Sequence, residues 1–357
     1  MKLAIVGSGS LARATCLALS TADIPAGLAV VLLARDGAAA AGIAHVAGVR
    51  AALFGRPARF TAVLVDPTDA DALGEALAEA APDGVLVCAS TQSPWEPADR
   101  PSAWGGLLRR AGFGLTLPFQ AQIALATGAA LRRSRPGAFL VNACFPDAVN
   151  PLLAARDVPV VAGVGNIGIF AAALQAALGL PDQSRLQVIG HHLHVHAPAD
   201  PGDEAMAWLD GARLDDVGAL LATHRTVGGG RGNNDITGLL AARLLTTLLT
   251  GATQDTHLPG VAGLPGGYPV RITAGEVALR LPPGVDRDRA VEANRRWATS
   301  DGALVEGGRV RFGPSVAEAL APLLPAYAEG FAVGEVAEAT AAFQALRERL
   351  RSQPVTS

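Results

Sequence analysis

Apolar and polar positions change their period near the middle of the chain, and the change separates two kinds of structure. Up to about residue 150, short unbroken apolar runs alternate with stretches that carry apolar residues at helical spacing. The runs are Lys2–Val6, LAVVLLARD, FTAVLVDP, GVLVCAST and AFLVNACFP, and the helical stretches include 68–81 and 117–134. Runs that are apolar on both faces suit strands covered on both sides. Their alternation with helices predicts an α/β fold built on a doubly wound parallel sheet. Beyond residue 150 the pattern predicts a helix over 167–178, a histidine-rich strand within 187–199, and a glycine-rich turn, GGGRGNND, that opens a long apolar helix. Strands separated by turns in GLPGGYPVRITAGEVALRLP follow, then a closing helix over 315–350. This second layout is α+β. The expectation is a first domain over 1–150 and an α+β catalytic and substrate domain over 151–357, since a chain of 357 residues ordinarily forms more than one domain.

The first apolar run ends in a turn with specific chemistry. Gly7 and Gly9 allow a sharp bend and close backbone approach, and Ala12 takes the third small position of a G-x-G-x-x-G/A pattern. The helix that follows directs its free N–H groups, from Ser10, Leu11 and Ala12, at whatever lies over the turn, and a pyrophosphate fits there. A strand before the pattern and a helix after it give the context of a Rossmann-type dinucleotide site. The second run ends in Ala34-Arg35-Asp36. A carboxylate at the strand end would accept from an adenosine ribose, whereas Arg35 would pair with a 2′-phosphate, so NADP(H) is favoured and NAD(H) stays possible through Asp36. Ligands of such sheets lie at the carboxyl ends of the strands, which brings Ala89, Ser90 and Asn142 to the cofactor. The Pro-, Ser- and Trp-rich segment over 91–105 reads as a surface loop or a mobile lid beside it.

Composition narrows the class further. Half of the residues are hydrophobic, 17% are charged and the net charge is -3, a globular balance that gives no reason to expect nucleic acid as a partner. Cys16, Cys88 and Cys144 are widely spaced within apolar stretches, which suits buried thiols in a reducing compartment. No segment has the ~20 uninterrupted apolar residues of a membrane span, and the N-terminus lacks a signal-peptide pattern, so a cytoplasmic protein with a small-molecule substrate is expected.

Four of the seven histidines lie within 191–196. On a strand, His192, His194 and His196 would share one face and could ligate a transition metal. A catalytic histidine with bystanders, or a polar strand without chemistry, are the other readings. The turn GGGRGNND supplies Asn233, Asn234 and Asp235, which would either line a polar pocket or cap the helix they open. His45 and His257 read as structural or surface residues.

The order of these parts resembles the lactate/malate dehydrogenase superfamily over nearly the full chain. The resemblance rests on the glycine turn at 7–12, AFLVNACFPDAVNPLL, ALGLPDQSRLQVIGHHLH, GGRGNNDITGLLAARLL and GLPGGYPVRI. It implies a homodimer or homotetramer that exchanges hydride with a nicotinamide cofactor, His192 being the acid/base. It places Asn166 where relatives carry the aspartate that orients this histidine, which would make the imidazole less basic than theirs. It also places Ile169 on the arginine that holds the substrate carboxylate, Phe145 on a conserved-pattern asparagine, and leaves Arg100 as the one arginine of the 91–105 loop able to anchor substrate. Lactate and malate are therefore poor fits, and a C–OH/C=O or C–NH/C=N centre of another substrate is expected. AGVGNIGI and GHHLHVH are also similar to the metal segments of NAD- and manganese-dependent family 4 glycoside hydrolases, which makes NAD- and metal-dependent redox hydrolysis of a glycoside the second reading, but Gly165 stands on their metal-binding cysteine, so no metal site is assigned. A dinucleotide-binding protein without turnover is the third reading, suggested by Asn166 and Ile169.

Overall fold

The structure is a computed structural model that describes residues 1–228 and 230–354. The first half runs β1 (Lys2–Val6), α1 (Ser10–Leu19), β2 (Leu28–Ala34), α2 (Gly37–Leu53), β3 (Ala58–Leu64), α3 (Ala70–Ala80), β4 (Gly84–Val87), α4 (Glu96–Asp99), α5 (Ala103–Ala111), α6 (Leu117–Ser134), β5 (Phe139–Asn142) and α7 (Pro146–Ala155). The short strand β6 (Ala162–Gly163) completes a six-stranded sheet of order β3-β2-β1-β4-β5-β6, parallel throughout. Val6 pairs with Leu33 and Val87, Val87 with Asn142, and Asn142 with Gly163. The carboxyl ends of these strands therefore lie in one row, and the loops that leave them share one edge.

The second half continues with α8 (Asn166–Ala177), β7 (Leu186–Ile189), β8 (Met206–Leu209), β9 (Ala212–Arg213), α9 (Val217–Thr223), α10 (Asn233–Thr250), β10 (Gln254–Pro259), β11 (Gly267–Thr273), β12 (Glu276–Leu279), α11 (Arg287–Ser300), β13 (Ala303–Glu306), β14 (Arg309–Phe312), α12 (Pro314–Leu320), β15 (Gly330–Ala332) and α13 (Val336–Arg351). Its strands form three small antiparallel sheets, β7-β8-β9, β10-β11-β12 and β13-β14-β15. The closing helix expected over 315–350 is two helices, because β15 pairs with β14 between them. Of the histidine-rich segment only Leu186–Ile189 is strand, and His192–Val195 form a 3-10 turn.

Both faces of the parallel sheet are covered, and the later residues help to cover each. On one face Val6, Val85, Trp104 and Phe119 share a core with Val310, Phe331 and Phe343. On the other, Ile5, Leu32 and Cys16 pack with Leu245, Tyr268 and Trp297. Burial of this kind stabilises by roughly 25 cal/mol per Å² of apolar surface. A smaller cluster, including Phe170, Val188 and Leu221, joins α8 and α9 to the β7–β8 hairpin.

The segment expected as a mobile lid is anchored at its base. Buried Glu96 receives the Arg351 guanidinium at 2.6 and 2.7 Å and the Gln92 amide at 2.8 Å, and Trp104 Nε1 donates to Gln92 Oε1 at 3.1 Å. At its tip, Arg231 donates to Asp99 at 2.7 Å and lies over the Trp95 ring, so α4 meets the turn ahead of α10. Arg100 is exposed at the end of α4.

Candidate active site

His192 is placed by groups from three separate stretches of chain. Its backbone N–H donates to Asp147 Oδ1 at 3.0 Å, tying the 3-10 turn to the first turn of α7. Its ring stacks on Phe113 with centroids 4.6 Å apart and meets Phe145 edge-on at 5.2 Å. Nδ1 lies 3.1 and 3.0 Å from the two oxygens of Asp301, the residue after α11. That carboxylate is 8% exposed and the imidazole 22%. The expected partner, Asn166, is not the group on the ring: the carboxylate comes instead from a residue 109 positions away in sequence.

Asp301 and Phe113 reach the ring together because two glycines cross. Gly114 N donates to Asp301 O at 3.2 Å, and a Cβ on Gly114 would lie 2.3 Å from the Gly302 carbonyl carbon. Gly302 has φ +101, which suits glycine alone. Phe145 adds strain from the opposite side. Its φ of +46 is unusual for a bulky residue and costs ~1–3 kcal/mol, held by the packed start of α7.

The electrostatics follow from this packing. Burial works against a charged His192, but the Asp301 carboxylate and, more weakly, Asp147 outweigh it and raise the imidazole above its usual range. The group that sets the basicity of this histidine is thus Asp301 and not Asn166. Asp147 is fully buried and burial pushes it up to about 6, the positive field of His192 opposing and Asp301 adding to the rise. With Nδ1–H directed at Asp301, Nε2 is the nitrogen left to exchange a proton.

The neighbouring histidines do other work. His194 Nε2 donates to the Asp203 carbonyl at 2.8 Å, and its Nδ1 accepts from the His191 N–H at 2.9 Å, while the ring packs edge-on against Trp297. His191 is buried and held down to about 3, first by burial. His196 is exposed. The three histidines that a strand would have aligned point to different surroundings, and among the described residues no three metal-ligating side chains converge. His257 accepts from Val188 N at 3.0 Å and is a buried structural residue, and His45 is exposed.

The glycine turn and His192 belong to one edge. A Cβ on Gly7, where φ is +126, would come within 3.2 Å of both Cys88 O and Ala89 Cβ. Cys144 Sγ in turn lies 3.2 Å from Ala89 O, one residue before Phe145. Contacts therefore run from the turn after β1, across the end of β4, to the imidazole. Asn142 lies beneath this edge, fully buried, with its amide committed to Cys144 and Asn150, so it shapes the loop and has no free group for a cofactor. The Ser90 hydroxyl likewise donates to Gln92 O at 2.7 Å.

No protein-family profile matches the chain, and no curated protein matches it in sequence. Solved structures do. Lactate dehydrogenase from Eimeria maxima, in a structure with NADH and oxamate, matches at 15% identity with a TM-score of 0.54, over 84% of this chain and 92% of that one. Malate dehydrogenases from Salinibacter ruber and Cryptosporidium parvum match at 15% identity and TM-scores of 0.53, over 84% of this chain and 96% and 97% of theirs. The fold is that of the lactate and malate dehydrogenases. At this identity the likeness speaks for the fold, and the site must be read from its own residues.

Within this lactate/malate dehydrogenase-like fold the turn after β1 fits a dinucleotide. Gly9 caps α1 without a side-chain hydrogen bond, and a Cβ built on it meets nothing within 4 Å. The first N–H groups of α1, at Ser10, Leu11 and Ala12, have no partner within the helix and face that space. Asn234 donates to Ser10 Oγ at 2.7 Å and so borders the turn. It does not cap α10, whose cap position is Gly232, and Asp235 is exposed in the first helical turn. Asn233 Oδ1 is buried without a hydrogen-bond partner among the described residues. At the ribose end Asp36 is occupied, since it caps α2 by accepting from Ala39 N at 2.9 Å. Arg35 is exposed beside it, and its field makes a lesser contribution to holding Asp66 low, after the Thr68 hydrogen bonds.

Asp301, Asp147 and Phe113 were not legible as site residues. Nothing local in the sequence marks the Asp301 side chain as aimed at an imidazole 109 residues earlier.

Proposed function

We propose that the protein is an NAD(P)-dependent oxidoreductase in which His192 exchanges a proton with a C–OH/C=O or C–NH/C=N centre. The observation that carries this reading is the His192–Asp301 pair at the carboxyl edge of the sheet, continuous with the glycine turn. A bound nicotinamide would supply or accept the hydride. Gly7, Gly9, Ser10, Leu11 and Ala12 would hold its pyrophosphate, and Arg35 favours the 2′-phosphate of NADP(H) because Asp36 is committed to α2. Asp301 keeps the proton of the ring on Nδ1 and stabilises the imidazolium, so Nε2 can act in either direction.

The site favours a neutral or amine-bearing substrate over a small 2-hydroxy acid. Asp301 and Asp147 face His192, and among the described residues neither is paired with an arginine. Phe113 and Phe145 give it aromatic walls. Asn233, Asn234, Asp235 and Arg100 are the candidate polar contacts at the rim. The chain has no described helix long and apolar enough to cross a membrane, and a cytoplasmic location is proposed on its unpaired cysteines. A homodimer is proposed through the outer side of α2, where Val46, Val49 and Leu53 are exposed together with Phe54.

The test is NADPH oxidation with a panel of aldehydes, ketones and imines. His192→Ala should leave NADPH binding intact and lower turnover by roughly 10²–10⁴. Tight NADPH binding with no hydride exchange across the panel would identify a binding protein instead.

A further inference from the structure

A second cleft, away from His192, lies between β8, the turn ahead of β11, α11 and the β13–β14 hairpin. It measures about 820 Å³, within the ~300–1,000 Å³ usual for small-molecule sites. Its floor is apolar, from Trp208, Leu264 and Val291, and its rim is lined with arginine. Arg295 is held by Glu292 at 3.6 Å and Glu306 at 3.3 Å. Arg213, Arg287, Arg289 and Arg296 form no ion pair among the described residues, and Asp288 is the one other lining acid. A chain of net charge -3 thus concentrates unpaired positive charge around one apolar hollow.

Arg289 lies in the first turn of α11, where Asp286 caps the helix by accepting from the Arg289 N–H at 2.8 Å and Asp288 balances the charge of Arg287. Two features argue against an ordinary solvated surface. Arg289 and Arg296 lie two turns apart on one helix face, with Ala293 between them, so a short side chain leaves the space between the guanidinium groups open. Arg213 lies over the Trp208 ring at 6.0 Å, beside the same hollow.

We propose that this cleft binds a small organic anion with a flat apolar body, such as an aromatic phosphate or carboxylate. The flat body packs on Trp208, Leu264 and Val291, and the forked guanidinium groups of Arg289 and Arg296 take the anionic oxygens. The site is independent of the hydride chemistry proposed above.

The experiment is calorimetric titration of the full chain with 1-naphthyl phosphate and 2-naphthoate, with inorganic phosphate and 1-naphthol as half-probes. One-site binding at least about tenfold tighter than either half-probe is expected. Arg289→Glu with Arg296→Glu should weaken it by about tenfold or more, and His192→Ala should leave it unchanged. Arg213→Gln, on the exposed rim, supplies a milder variant should the double change unfold the protein, and should weaken binding several-fold. Absence of binding at millimolar probe, or equal binding in these arginine variants, would overturn the proposal. So would binding of an oligo-glutamate peptide in place of both naphthyl probes.

Discussion

Replacing Asp301 by Asn tests the reading of His192 at its narrowest point. The change keeps the size of the side chain and removes its charge from a contact 3.0 Å from Nδ1. A hydrogen bond to a charged group is worth about 1.5–3 kcal/mol net, and a pKa unit is about 1.36 kcal/mol. The midpoint of His192 should therefore fall by about one to two units. Burial, the largest single influence and one that disfavours the cation, would then be opposed only by Asp147. The expected outcome is a midpoint above 6.5 in the unaltered protein and below 6.5 in Asp301→Asn. NMR titration of the imidazole Cε1–H reads this directly, with the resonance assigned by its loss in His192→Gln. The acidic limb of the pH–rate profile should move down with it. Asn166→Asp should leave the midpoint in place, because Asn166 is not the group on the ring. An unchanged midpoint in Asp301→Asn, or a midpoint below 6.5 before substitution, would refute the assignment.

Three further outcomes follow from the same geometry. His191 and His257 are held near 3 in the folded chain, so between that value and 6.5 the unfolded chain binds more protons at these sites. Asp147, raised to about 6, offsets one of them below that pH, and His194, also lowered by burial, adds to the fall, so urea unfolding should show stability dropping by at least about 1.4 kcal/mol per pH unit from pH 6 to 4.5. Gly114→Ala drives a Cβ to 2.3 Å from the Gly302 carbonyl carbon, and should cost about 3 kcal/mol in thermal or urea unfolding and lower the His192 midpoint by displacing Asp301. Arg35→Ala should weaken NADPH binding by about tenfold and leave NADH nearly unchanged in fluorescence titration, and equal loss for both would place Arg35 outside the ribose site.

The sequence by itself determined the parallel sheet and its glycine turn, because both rest on local pattern. Runs such as KLAIV and GVLV are apolar on both faces, and the space over Gly9 follows from the turn and the helix that begins beside it. His192 was also legible as the residue to watch, through the resemblance of its segment. Its state was not. Whether an imidazole is raised or lowered depends on which charges lie within a few ångströms, and Asp301 arrives there through a glycine crossing that joins residues 114 and 302. The histidine row failed for a related reason. HHLHVH has strand-like alternation, but once β7 ends, hydrogen bonds from His191 to His194 and from His194 to Asp203 turn the chain into a 3-10 bend. Local spacing constrains which residues share a face only while the element persists, and tertiary contacts decided where this element stopped.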